Sequence, residues 1–144
     1  MKSVLVIGYG NTIHSDDAAG IHAVELISKR HPEFECICVH QLMPELAEAI
    51  SKRDMVFFVD ASAISNHVEV QEIQSSTFSN QSYTHFITPA SLIALSLKVY
   101  GHKPRKAFIV GIPANRFDFG EEISEETKKE INRCVEIIED LVNS

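Results

Sequence analysis

Apolar positions along this chain change period several times, and each change marks an element. Val4-Leu5-Val6-Ile7 is a continuous apolar run closed by Gly8, the pattern of a central parallel strand covered on both faces. Over residues 17–30 the apolar positions Ala18, Ile21, Val24 and Ile27 recur at helical spacing, and Pro32 ends that helix. Residues 34–39 predict a second strand. Residues 44–51 predict a short helix with Pro44 in its first turn. Residues 55–59 form another fully apolar strand, and Asp60 stands at its end. Residues 67–73 alternate Val68 and Val70 with Glu69 and Gln71, which suggests an antiparallel edge strand.

The second half continues the alternation. Residues 75–83 are polar and serine-rich and predict a loop. Thr88-Pro89 is an N-cap followed by proline at the first helical position, and Gly101 closes the helix. Leu92, Ile93, Leu95, Leu97 and Val99 make this helix apolar nearly all round, so it is expected to be buried. Residues 107–112 predict the last strand, and residues 115–122 a loop carrying Phe117 and Phe119. Ser124 caps a final amphipathic helix with Glu125 and Glu126 in its first turn and a stripe of Ile131, Cys134, Val135, Ile138, Leu141 and Val142. Strands alternating with helices predict one domain over residues 1–144. It is a three-layer α/β/α sandwich with a mostly parallel twisted sheet of about five strands.

Composition narrows the class of partner. A 144-residue chain with 44% hydrophobic residues has enough apolar surface for a real core. The formal net charge of −7 argues against nucleic acid and anionic membrane as partners. No apolar run reaches the roughly 18 residues a membrane span needs. The short apolar start leads into a glycine turn rather than a cleavage site, so a cytoplasmic protein is expected. Of the three cysteines, Cys36 and Cys38 share a face of the second strand and Cys134 lies on the last helical stripe. All three read as small buried hydrophobes rather than a disulfide framework.

The first strand runs into Gly8-Tyr9-Gly10-Asn11, the position of a nucleotide-binding loop. The third glycine of a dinucleotide fingerprint is replaced by Ile13, and Val39-His40-Gln41 stands where a ribose-binding acid belongs. Asp16 and Asp17 follow at the start of the helix, where they would repel a phosphate and attract a cation. Ligands in such sheets bind beyond the carboxyl ends of the strands, at the topological switch point. If the first and third strands are neighbours, Asp17 and Asp60 face one crevice. His85, just before Thr88-Pro89, is the candidate third ligand, giving an oxygen and nitrogen set suited to zinc, nickel or cadmium. His14 and His40 belong near the same crevice; His22, His31, His67 and His102 read as surface or helix-end residues. A triad of Ser62, His85 and Asp60 lacks the nucleophile elbow that would support it.

Five segments in order carry a resemblance. They are Gly8-Tyr9-Gly10-Asn11, Asp16-Asp17, Val59-Asp60-Ala61, Thr84-His85 and Val110-Gly111-Ile112-Pro113, followed by a helix start at residues 120–124. Together they resemble the hydrogenase maturation proteases, which process the large subunit of nickel–iron hydrogenases. The resemblance implies an endopeptidase, of aspartic or substrate-metal-dependent type, that removes the C-terminal extension of a nickel-loaded large-subunit precursor. It implies Asp17, Asp60 and His85 as both the catalytic and the metal-site residues. It also implies no tightly bound cofactor, nickel supplied by the substrate, and zinc or cadmium as stand-ins. One segment departs from the family: His40-Gln41-Leu42-Met43-Pro44-Glu45-Leu46 replaces an Asp-Gly-Gly-Thr-like turn, which bears on substrate choice. Two other functions stay open: a non-catalytic, nickel-dependent chaperone or scaffold for the precursor, and a nucleotide-binding α/β protein.

Overall fold

The computed structural model describes residues 3–10, 15–62, 66–74, 87–114 and 123–144, with the side chains of Ser15 and Asp16 left out. In chain order the elements are β1 (Val4–Tyr9), a 3-10 turn (Ser15–Ala18), α1 (Ala19–Arg30), β2 (Glu35–Val39), α2 (Leu46–Ser51) and β3 (Met55–Ser62). Then follow β4 (Glu69–Glu72), α3 (Pro89–Tyr100), β5 (Lys106–Pro113) and α4 (Glu125–Asn143). The five strands form one sheet in the order β2-β1-β3-β5-β4, parallel except for β4, which pairs antiparallel with β5 at the edge. No helix among the described residues is long and apolar enough to cross a membrane.

Alternation within the central strands divides the core between two layers. Val4 and Val6 of β1 and Phe57 and Val59 of β3 face α1 and α4. Leu5 and Ile7, with Val56 and Phe58, face α2 and α3. All of these are buried, so both faces of the sheet are covered, as their continuous apolar runs require. Phe57 and Phe108 stack across β3 and β5 with ring centroids 5.3 Å apart. Full burial of each ring contributes about 1.5–3 kcal/mol.

The helix ends form as their residues dictate. The Thr88 hydroxyl accepts a hydrogen bond from the Ser91 amide at 3.1 Å, and the Ser91 hydroxyl accepts from the Thr88 amide at 2.9 Å. Gly101 ends α3 in the left-handed conformation at φ 73°. Ser124 accepts from the Thr127 amide at the start of α4.

Three expectations need correction. The first helix begins at Ala19, because residues 15–18 wind as a tighter 3-10 turn. α3 is not buried all round. Leu92, Ile93 and Ser96 face inward, whereas Leu97, Val99 and Tyr100 are 46%, 59% and 48% exposed, since only one side of the helix meets the sheet and α2. Cys38 is exposed and Cys36 half-buried, because β2 is an edge strand; Cys134 alone of the three lies in the core.

Candidate functional site

The chain leaves β1 for β2 on one side and then crosses to β3 on the other, so the switch point lies between β1 and β3. An open cleft of about 590 Å³ sits beyond their carboxyl ends. Its walls include Tyr9 and Gly10 from the end of β1, Asp17 from the following turn and Asp60 from β3. His40 to Pro44 close it on the β2 side, and Ile87 to Pro89 on the α3 side.

Three glycines hold the acid-bearing turn against the sheet. A Cβ on Gly20, in the first turn of α1, would lie 2.3 Å from the Val59 carbonyl oxygen. A Cβ on Gly8 would lie 2.7 Å from both the Gly20 carbonyl oxygen and Val24 Cγ2. Gly10 has φ 152°, and a Cβ there would lie 2.2 Å from the Asp17 carbonyl oxygen. Helix start, first strand and third strand therefore touch main chain to main chain, and that contact sets Asp17 beside the end of β3. The opening Gly-x-Gly was legible as a tight turn. Gly20 was not singled out, although the run Ala18-Ala19-Gly20 of small residues is a signal of close helix-to-sheet approach.

Asp60 lies inside β3, paired in register with Gly111 of β5. The Ala61 amide donates to its Oδ1 at 2.7 Å. Burial is the main cause that pushes the Asp60 carboxyl up to about 6; the Ala61 amide opposes this and the Asp17 charge adds to it. Burial first, and then the Asp60 charge, likewise hold the Tyr9 phenol above its ordinary value, so it stays a hydrogen-bond donor. The arrangement offers one carboxyl whose ionisation is shifted toward neutrality, a second beside it, and a protonated phenol.

Asp17 and Asp60 thus come together as expected of neighbouring strands, and His40 lines their cleft. His85 lies outside the described residues, as do Asn11, His14, Phe117 and Phe119. His31 follows α1, where it pairs with Glu139 of α4 at 2.6 Å, and the His102 ring bonds the Ser51 carbonyl. Among the described residues no group of three or more histidine, cysteine or acidic side chains is placed to hold a metal. Two carboxylates of which one raises the other's pKa are nonetheless a fit for a cation, since a positive charge between them would relieve their repulsion.

No family model matches the chain. It is 30% identical over 156 aligned positions to a Methanocaldococcus jannaschii protein provisionally named a hydrogenase maturation protease, covering 97% of this chain and 90% of that one. Among solved structures it is similar to the hydrogenase maturating endopeptidase HybD from E. coli, with a TM-score of 0.75 at 19% identity over 98% of this chain and 92% of that one. It is also similar to the NiFe hydrogenase maturation protease HycI from Thermococcus kodakarensis, with a TM-score of 0.71 at 21% identity over 99% of this chain and 94% of that one. At these identities the two structures speak for the fold.

Proposed function

Since the chain belongs to the hydrogenase maturation proteases, and so is a peptidase, we propose that it removes the C-terminal extension of a nickel–iron hydrogenase large-subunit precursor in the cytoplasm. The observation that carries this reading is the pairing of Asp17 and Asp60 at the switch-point cleft, with Asp60 titrating near 6. The nickel is part of the substrate. Asp17 and Asp60, with His85 as third ligand, hold it, and a zinc or cadmium ion can take its place.

Asp60 suits the general-base role because, in the metal-free site, its pKa lies close to neutral pH. Its carboxylate takes a proton from a water, and the water oxygen bonds to the scissile carbonyl carbon. That proton then passes to the amide nitrogen, the C–N bond breaks, and a new carboxylate and a free amine leave. Docked nickel positions the scissile carbonyl and polarises it. A metal that arrives with the substrate predicts weak metal binding by the isolated protein. Stoichiometric zinc surviving chelator dialysis would contradict this.

The test is the mass of nickel-loaded precursor before and after addition of the protein. The precursor should lose its C-terminal tail, and Asp17→Asn and Asp60→Asn should abolish the loss while the fold is retained. Cleavage at full rate by both variants would sink the assignment. Nickel-dependent binding with no change in precursor mass would favour a scaffold instead.

A further inference from the structure

Gly111 has no structural duty among the described residues. Gly8, Gly10 and Gly20 would each drive a Cβ into main chain, and Gly101 takes a left-handed φ. At Gly111 the backbone is not left-handed, and a Cβ would meet only the Ser62 Cβ at 3.5 Å, an ordinary contact. A glycine inside a strand weakens it, because it adds chain entropy and packs nothing. Where no conformation and no neighbour among the described residues demands it, a close approach by another backbone is a physical reason for it.

The space lies directly beside the two-carboxylate site. Gly111 pairs with Asp60 on one side and with Glu69 of the edge strand on the other. A cleft of about 270 Å³ opens there, walled by Tyr9, Asp60, Ser62, Glu69 and Gln71, with Ile109 along β5. Tyr9 and Asp60 also wall the larger cleft, so the two clefts meet at these residues. A peptide cut in mid-chain needs such a layout, because its backbone must continue on both sides of the attacked carbonyl. β5 is already paired along both edges, so a chain lying over Gly111 would be held by side chains rather than as an added strand.

We propose that the cleft over Gly111 is a second peptide subsite, taking precursor backbone on the opposite side of the scissile bond from the segment in the larger cleft. Substrate main chain lies against Gly111, and Ser62, Glu69 and Gln71 accept hydrogen bonds from its N–H groups. The inference rests on the peptidase reading and adds the course of the substrate through the site.

Gly111→Ala and Gly111→Val test it, since both side chains suit a strand and a Cβ there meets only an ordinary contact among the described residues. With nickel-loaded precursor as substrate, Gly111→Val should lower kcat/KM at least about tenfold, mainly through KM, and Gly111→Ala should lower it less. Melting temperatures should stay level or rise, because glycine is replaced at ordinary backbone angles. Glu69→Gln should raise KM severalfold at unchanged kcat. Wild-type KM in a folded Gly111→Val protein would overturn the proposal. So would a melting temperature several degrees lower in Gly111→Ala, which would assign the glycine to packing. If the unaltered protein binds precursor without shortening it, the cleavage reading fails by itself. Binding lost in Gly111→Val then still supports the subsite, and binding retained overturns it. If the unaltered protein neither binds nor cuts, both readings fall together.

Discussion

Asp54 stands just before β3 and Asp60 within its carboxyl-terminal half, and their surroundings treat the same functional group in opposite ways. Asp54, just before the strand, accepts from the Ser3 amide at 3.0 Å and the Ser3 hydroxyl at 3.3 Å, and its own amide donates to Ser3 Oγ. Its backbone carbonyl accepts from the Arg105 amide, so one residue ties together the starts of β1, β3 and β5. The Ser3 amide is the main cause that lowers its pKa, against partial desolvation; the Ser3 hydroxyl and the Arg105 and His102 charges add to it. Asp60 has one local amide, burial and a neighbouring negative charge, and its pKa rises. An acid that serves the fold has its charge met by donors. The acid proposed to serve chemistry is left under-compensated, and the fold bears the cost.

The comparison is broken most severely by exchanging each acid for its amide. Asp60→Asn should lower precursor cleavage by about 10²–10⁴-fold, the usual contribution of a general base. The same change should raise stability at pH 7 by about 1 kcal/mol, because a desolvated charge disappears while the Ala61 bond keeps its acceptor. Calorimetry should read this as a melting temperature about 2–4 °C higher. Asp54→Asn should do the reverse, with lower melting temperature and intact cleavage. Loss of cleavage in Asp54→Asn with no loss in Asp60→Asn would invert the assignment of roles.

Next in size is Gly20→Ala, which places a Cβ 2.3 Å from the Val59 carbonyl oxygen, a main-chain atom that cannot swing aside. It should cost about 2–3 kcal/mol by urea denaturation and weaken cleavage through the displaced Asp17 turn. Unchanged stability would show that this contact does not hold the site together.

Acid titration sharpens the contrast with a smaller effect. Between the ordinary value of 3.8 and about 6 the folded state holds more protons on Asp60 than the unfolded chain. Its contribution to stability therefore falls as pH rises through that window. Asp54 is lowered, so its contribution is present above 3.8 and is lost as pH falls through its folded pKa. Urea midpoints from pH 3 to 7 should lose the first slope in Asp60→Asn and the second in Asp54→Asn. The kcat/KM for cleavage should rise with pH through about 6, because that ratio reports Asp60 ionising in the free enzyme, before nickel-loaded precursor docks. The smallest effect belongs to a residue at neither end: Val99→Ser, on the exposed side of α3, should shift stability by less than about 0.5 kcal/mol.

The sheet was legible because its strands announce themselves. Runs such as Val4–Ile7 can be covered only from both sides, and the antiparallel edge showed in the alternation around Val68 and Val70. Asp17 and Asp60 could be paired because the rule about strand ends turns topology into proximity. Less legible was anything that depends on which side of an element meets the core. The apolar positions of α3 go round the helix, and only packing decides that Leu97 and Val99 stay outside while Ser96 is buried, its hydroxyl donating to the His102 carbonyl. The strand position of Cys38 said nothing about whether β2 was central. Gly20 and Gly111 look alike in sequence; one is required by a carbonyl oxygen and the other by nothing among the described residues. His85, read as the third ligand, lies outside the described residues.

The glycine contacts under α1 also govern how this site can change. Gly20 meets Val59 through main chain, so the reach between the two carboxylates is a property of the backbone. Volume-conserving swaps among Val24, Ile27 and Ile138 would alter how firmly the molecule holds together. They would leave the gauge of the site alone. If the site takes the substrate's nickel as proposed, ion size is read by cavity dimensions, so that gauge would drift slowly among relatives and resist redesign by side-chain exchange. A change of gauge requires a change in how helix and strand are joined.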